Sequence, residues 1–465
     1  MTIGSRPRAR RCVFMVLGFG LLLGGLRLAA QETKPPSPTP LDPVAATNAY
    51  LAMVAGEDRA RSDAYFEGGY WLQLWDFLLG VTVNFVLLGT GLSGRMRNLA
   101  ERLVRFRAIQ TFLYWVQYFV VTTVILLPMT IYEGFVREHR YGLANQTFGP
   151  WMGDQARSLA VGLLLGGLAV SALYGVVRRL ARTWALWGSV AAIALVMFSV
   201  LITPVYINPL FNKYTRLADP VVRGRILTLA RAEGINAHDV WVFDASRQTK
   251  RVSANVSGFA TTMRISLNDN LLNRCSLAEI EATLGHEMGH FVLNHIYKTL
   301  LFLAVVIAIG FALMKWGFEH ATARKGVAWD IRGVGDTAGL PLALILLSTY
   351  FFVLTPVLNT YTRVEEAEAD LFGINASGQP DGEAQTDLKL AEYRKLDPSP
   401  LEEVLFFDHP SGRNRILMAM NWKAEHLVEA EANARRAAEW DRQRGWSPES
   451  AKAWAREHEP RQPSD

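Results

Sequence analysis

Ser276-Leu277-Ala278-Glu279-Ile280-Glu281-Ala282-Thr283-Leu284-Gly285-His286-Glu287-Met288-Gly289-His290 is followed, after eight more residues, by the charge-free stretch Thr299–Met314. Ser276 with Glu279 three residues on has the spacing of a capping box, so a helix is expected to begin there. His286 and His290 are four apart and share one face of that helix, so both imidazoles can reach a single metal ion. Glu287 is placed to polarise a water on that ion and to take its proton. The stretch after them is apolar in the manner of a membrane span. Lys298 and Lys315 can snorkel at its ends, and Trp316 suits an interface. A polar, metal-binding segment and a membrane span thus follow one another directly.

Outward from this junction the chain alternates in the same way. Charge-free runs cover Cys12–Leu26, Phe77–Ser93, Ala108–Tyr132, Ser158–Val177, Thr183–Asn212 and Thr337–Thr362 as well. Most of the seven reach or approach the roughly 20 residues that cross a bilayer core. The 465 residues are 50% hydrophobic and only 20% charged, with a formal net charge of +5 spread over short segments. That balance excludes a disordered chain and gives no basic patch of nucleic-acid size. Two cysteines, Cys12 and Cys275, exclude a disulfide scaffold and a cysteine-ligated zinc knuckle. The class expected is a mainly α, polytopic membrane protein of about seven transmembrane helices. Asp76, Asn84, Gln110 and Gln117 fall within or beside spans, where polar groups face a cavity or one another.

Residues 1–30 read as a signal peptide or first transmembrane anchor, with basic Arg6–Arg11 before the apolar core and Leu28-Ala29-Ala30 after it. Residues 31–69, opening with a proline-rich stretch, read as a linker. Residues 70–212 form the transmembrane bundle, and 299–362 a transmembrane hairpin between two polar regions, 213–298 and 363–426. The first polar region shows a helix near Pro220–Glu233 and strand-like runs at Val240–Phe243, Ser253–Phe259 and Met263–Leu267. The charged tail, 427–465, reads as a surface or interfacial helix with a disordered end after Glu459. The arginine-rich segments Arg6–Arg11, Arg95–Arg107 and Arg178–Arg182 fall on one side. The positive-inside rule makes that side cytoplasmic and puts both polar regions outside.

Two histidines leave a catalytic metal one protein ligand short. His295 lies nine residues after His286, about 180° round a continuous helix. A metzincin would need Gly and His where this chain has Leu293 and Ile296. The acidic stretch Arg363-Val364-Glu365-Glu366-Ala367-Glu368-Ala369-Asp370 offers Glu365, Glu366 or Glu368 on spacing alone. Glu366 and Asp370 share a face, which suits one carboxylate as a ligand and another that orients a ligand histidine.

From about Gly91 to Trp422 the chain resembles the type I CAAX prenyl endopeptidase family, integral-membrane zinc metalloproteases. The resemblance rests on Tyr132–Gly142 with Asn145-Gln146-Thr147, on Asn208-Pro209-Leu210-Phe211-Asn212-Lys213, and on Arg264-Ile265-Ser266-Leu267-Asn268-Asp269. It rests too on the H-E-x-G-H motif with a histidine five residues later (His286 to His295), on Glu366-Ala367-Glu368-Ala369-Asp370, and on His409-Pro410 with Arg415. It implies one zinc ion per chain held by His286, His290 and Glu366, with Asp370 orienting a ligand. It further implies that Glu287 is the base, that His409 stabilises the oxyanion, and that Arg415 orders that region. Ser253-Ala254-Asn255-Val256-Ser257-Gly258 matches an edge strand that pairs with the substrate backbone, with serine in place of the family's first asparagine.

The fold implied is a helical bundle around an intramembrane chamber. It carries a zincin-like α+β metalloprotease domain split by the hairpin into 213–298 and 363–426. The function expected is a membrane-embedded, zinc-dependent endopeptidase. Its partners would be the lipid bilayer and a peptide or protein substrate, lipidated or membrane-associated, with no nucleic acid. Family members that process prenylated proteins have a cytosolic catalytic domain, opposite to the side the loop charges favour. A catalytically inactive membrane scaffold or transporter is the alternative from another class.

Overall fold

The computed structural model describes residues 41–257 and 263–458. The run Cys12–Leu26, the rest of segment 1–30, Gly258 and Phe259 of the expected edge strand, and the end after Glu459 lie outside the described residues. The described chain is mostly helical with one small sheet. Six of its helices are long and apolar enough to cross a membrane: Gly56–Gly89, Arg107–Arg140, Phe148–Arg179, Trp184–Leu210, His295–Lys325 and Thr337–Ser377. They match six of the seven apolar runs, and the chain is a multi-pass membrane protein. Leu186, Leu201, Leu301 and Val353 are each more than 60% exposed. Such side chains face lipid, and a helix can present them there because it satisfies its own backbone groups.

All four polar residues noted in the spans have polar partners. Tyr118 donates to Asn84 Oδ1 (2.8 Å), while Gln110 and Gln117 donate to the carbonyls of Val104 (2.8 Å) and Met96 (3.1 Å). Asp76 is hydrogen-bonded to Glu133, and the two line a cavity of about 880 Å³ with Gln73 and Glu138. At one end of the bundle Arg97 bonds Asp330 and Asp336, Arg332 pairs with Glu101, and Arg178 donates to the Gly335 carbonyl. The two described arginine-rich segments and the loop of the 299–362 hairpin therefore meet there.

The stretch expected as a linker differs. Its described part carries the helix Pro43–Ala52 and the first turns of Gly56–Gly89. Asp42 accepts from the amides of Val44 and Ala45 with Pro43 at the first helical position, a start signal that the proline-rich run before it obscures. Leu51 of this helix joins a core with Ile374, Ile416 and Trp422 of the second polar region.

The sheet comprises β1 (Tyr214–Arg216), β2 (Val240–Phe243), β3 (Ala254–Ser257) and β4 (Arg264–Asn268) in the order β1-β2-β4-β3. β2 and β4 run parallel; β1 with β2 and β3 with β4 run antiparallel. β3 thus stands at an edge of the sheet, unpaired on its outer side among the described residues. Val240, Ile265 and Leu267 are buried against Val222 and Ile226 of the helix Pro220–Ala232 and against Ile280, Leu284 and Met288 of Leu277–Val292. The capping box at Ser276 and Glu279 is present as the sequence predicts.

The tail is not a free surface helix. Leu427–Gln443 places Ala437 inside the sheet's core and Trp440 against it. Asp441 accepts from the Leu277 amide (2.9 Å), at the start of the motif helix. Small alanines on one face let this helix approach, a pattern that its high charge content hides in the sequence.

The motif helix crosses Leu340–Ser377 closely enough to exclude side chains at the contact. A Cβ on Gly373 would lie 2.6 Å from the His286 amide nitrogen, and one on Gly285 would lie 2.8 Å from the Gly373 carbonyl oxygen. Both neighbours are backbone, so the helices would have to part. Gly373→Ala is expected to cost about 1–3 kcal/mol of stability and to lower the metal bound per chain, read by thermal unfolding and metal analysis.

Candidate metal centre

His286 and His290 project from the motif helix, and Glu366 from the helix that crosses it at Gly373 and Gly285. His286 Nε2 lies 3.2 Å from Glu366 Oε2, His290 Nε2 lies 3.5 Å from Glu366 Oε1, and the two Nε2 atoms are 3.1 Å apart. Three ligands about 2.0–2.1 Å from a tetrahedral ion lie about 3.3 Å from one another. The donor set of two imidazoles and a carboxylate, at these separations, fits one such ion. Glu366 Oε2 is buried with only imidazole nitrogens as polar neighbours, His286 Nε2 at 3.2 Å and His409 Nε2 at 3.3 Å, the surroundings of a metal-ligand oxygen.

The surroundings favour positive charge. Burial pulls the His286 imidazole down, yet the hydrogen bonds to Asp370 and Glu366 prevail and hold it well above its ordinary value. Glu287 is half-buried beside these groups; burial raises its carboxyl, with the two imidazoles pulling the other way. His409 stands on the other side of Glu366, with Nε2 3.3 Å from Oε2 and Nδ1 2.7 Å from Asp408 Oδ1.

Behind the ligands lies a buried ionic cluster. His286 Nδ1 is 2.7 Å from Asp370 Oδ1, so the ring's second nitrogen is held by a carboxylate. Arg415 Nε donates to Asp370 Oδ2 (2.8 Å), and its other nitrogens lie 3.0 Å from Glu383 and 3.0 Å from Asp387. Burial pushes the Glu383 and Asp387 carboxyls up, while the guanidinium works against it. Glu383 and Asp387 escaped the sequence reading. They are four apart on Pro380–Leu390, a stretch whose composition is that of a solvated helix.

Of the carboxylates that spacing left open, only Glu366 faces both histidines. Glu365 accepts from Tyr361 (2.8 Å) and Thr299 (2.6 Å), and Glu368 pairs with Lys298 (2.8 Å). His295 is not on the far side of a continuous helix. Asn294 adopts a left-handed conformation (φ 59°), ends the motif helix, and lets a new one start at His295. Asparagine is one of the few residues that visit this region readily, and that was the available signal. His295 Nδ1 consequently lies 2.9 Å from His290 Nδ1. Ser253 precedes the edge strand β3, Ala254 is buried in it opposite Leu267, and Asn255 is half-buried opposite Ser266. β3 packs beside the motif helix.

Comparison with known proteins agrees in both halves of the chain. Residues 46–213 match the family model described as CAAX prenyl protease N-terminal, five membrane helices, and residues 216–423 match peptidase family M48. The chain is 30% identical to the uncharacterized metalloprotease YhfN of Bacillus subtilis, over 73% of this chain and 81% of that protein. It is 25% identical to CAAX prenyl protease 1 of Saccharomyces cerevisiae, over 65% and 70% respectively. The crystal structure of S. mikatae Ste24p shares the fold, with a TM-score of 0.68 at 21% identity, covering 81% of this chain and 95% of that one.

Proposed function

The chain belongs to peptidase family M48, among the CAAX prenyl proteases, and from that membership we propose that this membrane metalloprotease is a zinc-dependent endopeptidase. The observation that carries this reading is the meeting of His286, His290 and Glu366 beside the half-buried Glu287. One zinc ion per chain would be held by those three ligands. When bound, it would supply Lewis acidity and make a water acidic enough to ionise near neutral pH.

The chain's own residues do the rest. The Glu287 carboxylate takes the proton of the attacking water and returns it to the leaving amine. His409, held at Nδ1 by Asp408, offers its Nε2–H to the oxygen that gains charge as the carbonyl becomes tetrahedral. Asp370 fixes the His286 ring through Nδ1, and Arg415 fixes Asp370. The substrate backbone would pair along the outer edge of β3 at Ser253, Ala254 and Asn255, a β-augmentation in which main-chain hydrogen bonds supply affinity. His409→Ala is expected to lower kcat by about 100- to 1,000-fold with KM little changed, the loss typical of one oxyanion donor. Steady-state kinetics on a peptide substrate check this.

The domain boundaries follow from the same reading: a bundle over 70–212 and a protease domain assembled from 213–298 and 363–426 across the hairpin. An inactive scaffold or transporter would have no use for a complete donor set with a base beside it. The arginine-rich end of the bundle is the cytoplasmic one by the positive-inside rule, so the zinc domain faces the other side. Its substrates are then peptides or membrane proteins presented there, while lipidated C-termini made in the cytosol require the opposite orientation.

Two measurements test the proposal. Zinc analysis of the purified, detergent-solubilised protein should give one ion per chain, and proteolysis should stop on chelation and return with zinc. A topology reporter settles the side. It belongs at the C-terminal end and not inside the protease domain, whose last matched helix, Gly412–Glu425, packs Trp422 in a core.

A further inference from the structure

The histidine that follows the metal motif is 3% exposed and takes no part in the mechanism above. We infer that His295 and Glu368 are positioning residues for His290, forming a relay that does through two hydrogen bonds what Asp370 does for His286 through one. The inference rests on the proposed zinc site.

The protons can be counted along the relay. His290 turns Nε2 toward His286 and Glu366, so a neutral ring that offers a lone pair there must carry its proton on Nδ1. That nitrogen lies 2.9 Å from His295 Nδ1. Two ring nitrogens at this distance hold one proton between them, so His290 donates and His295 Nδ1 accepts. A neutral His295 then bears its own proton on Nε2, and that atom lies 3.1 Å from Glu368 Oε2. Lys298, 2.8 Å from the same oxygen, holds the carboxylate in place. Every donor finds an acceptor, and one tautomer of each ring satisfies the whole chain.

The relay exists because of the helix break. On a continuous helix His295 would point away from His290; the left-handed Asn294 turns the chain so that the two rings meet. Ring centroids 5.0 Å apart at 75° give the edge-on approach that an Nδ1–Nδ1 hydrogen bond needs. The two zinc-binding histidines are thereby held from two different directions. Asp370 acts from the protein interior, and Glu368 from the half-exposed junction between the protease domain and the spans.

The test uses full-length, detergent-solubilised protein. Zinc affinity is read by competition with a chromophoric chelator, and the ligand field by the visible spectrum of the cobalt(II) form. His295→Leu is expected to weaken zinc binding about 10- to 100-fold, the range for partners that orient metal ligands, and to change the cobalt spectrum. His295→Asn places an amide oxygen where Nδ1 stood and keeps an acceptor for His290 but loses the link to Glu368, so its loss should be smaller than that of His295→Leu and like that of Glu368→Leu. Glu368→Leu lies at a half-exposed position, carries the test should His295→Leu fail to fold, and should weaken zinc in the same direction. Wild-type affinity in a folded His295→Leu or in Glu368→Leu overturns the relay, and so does a loss in His295→Asn equal to that in His295→Leu. A folded wild type that takes up no zinc overturns the zinc site itself, and the relay with it.

Discussion

Glu287→Gln is expected to leave the protein folded, with one zinc ion per chain, and to lower kcat by about 100- to 10,000-fold, the range for loss of a general base. Glutamine has the shape of glutamate and cannot take a proton. The position is half-buried and polar, so the substitution opens no cavity and strands no charge. The three ligands lie elsewhere, on His286, His290 and Glu366, and should keep the ion. Zinc analysis with peptide cleavage by wild type and variant side by side checks both halves. Cleavage at the wild-type rate by a zinc-loaded variant would remove Glu287 from its role, whereas loss of zinc would mean that it supports the ion instead.

Arg415→Met should be the most destabilising of the substitutions proposed. A single guanidinium, its side chain 8% exposed, faces Asp370, Glu383 and Asp387, whose side chains are at most 4% exposed. Methionine fills much of the same volume and leaves Glu383 and Asp387 without the guanidinium and Asp370 with the His286 ring alone. Removing one partner of a buried ion pair costs about 3–5 kcal/mol because the remaining charge is uncompensated. The pH dependence has a definite sign. Burial raises the Glu383 and Asp387 carboxyls, so the folded state binds their protons more readily than the unfolded chain does. Stability therefore falls as pH rises between the unfolded and folded values. Without the guanidinium that window widens upward, and the deficit against wild type should be larger at pH 8 than at pH 5. Denaturant unfolding with chelator present in both proteins isolates this effect from metal binding. A deficit independent of pH would mean that the cluster's cost is one of packing alone.

Much of the fold and of the site was legible in the sequence, for physical reasons that differ by element. The spans announce themselves because a bilayer demands some 20 apolar residues in a row and nothing else in the chain has that pattern. The motif helix was readable from its capping box and from two histidines at a helical spacing. Glu366 was not separable from Glu365 and Glu368 by spacing. Which of the three faces the histidines depends on how Leu340–Ser377 crosses the motif helix, and glycines 285 and 373 fix that crossing. Glu383 and Asp387 were invisible because a carboxylate becomes a buried partner only when a cation from another helix is packed against it. Asp42 and Asn294 carry local signals, a cap and a left-handed turn, that are weak beside the proline-rich run before the one and the helical pattern around the other.

The helix Leu427–Gln443 closes the sheet's core and tethers the start of the motif helix through Asp441. Chain order places this helix after every ligand of the candidate site. When the last span has been made, His286, His290 and Glu366 all exist on chain whose supporting core is still open. Synthesis order thus acts as a timer: the donor set acquires its rigid frame only once the helix Leu427–Gln443 has been made.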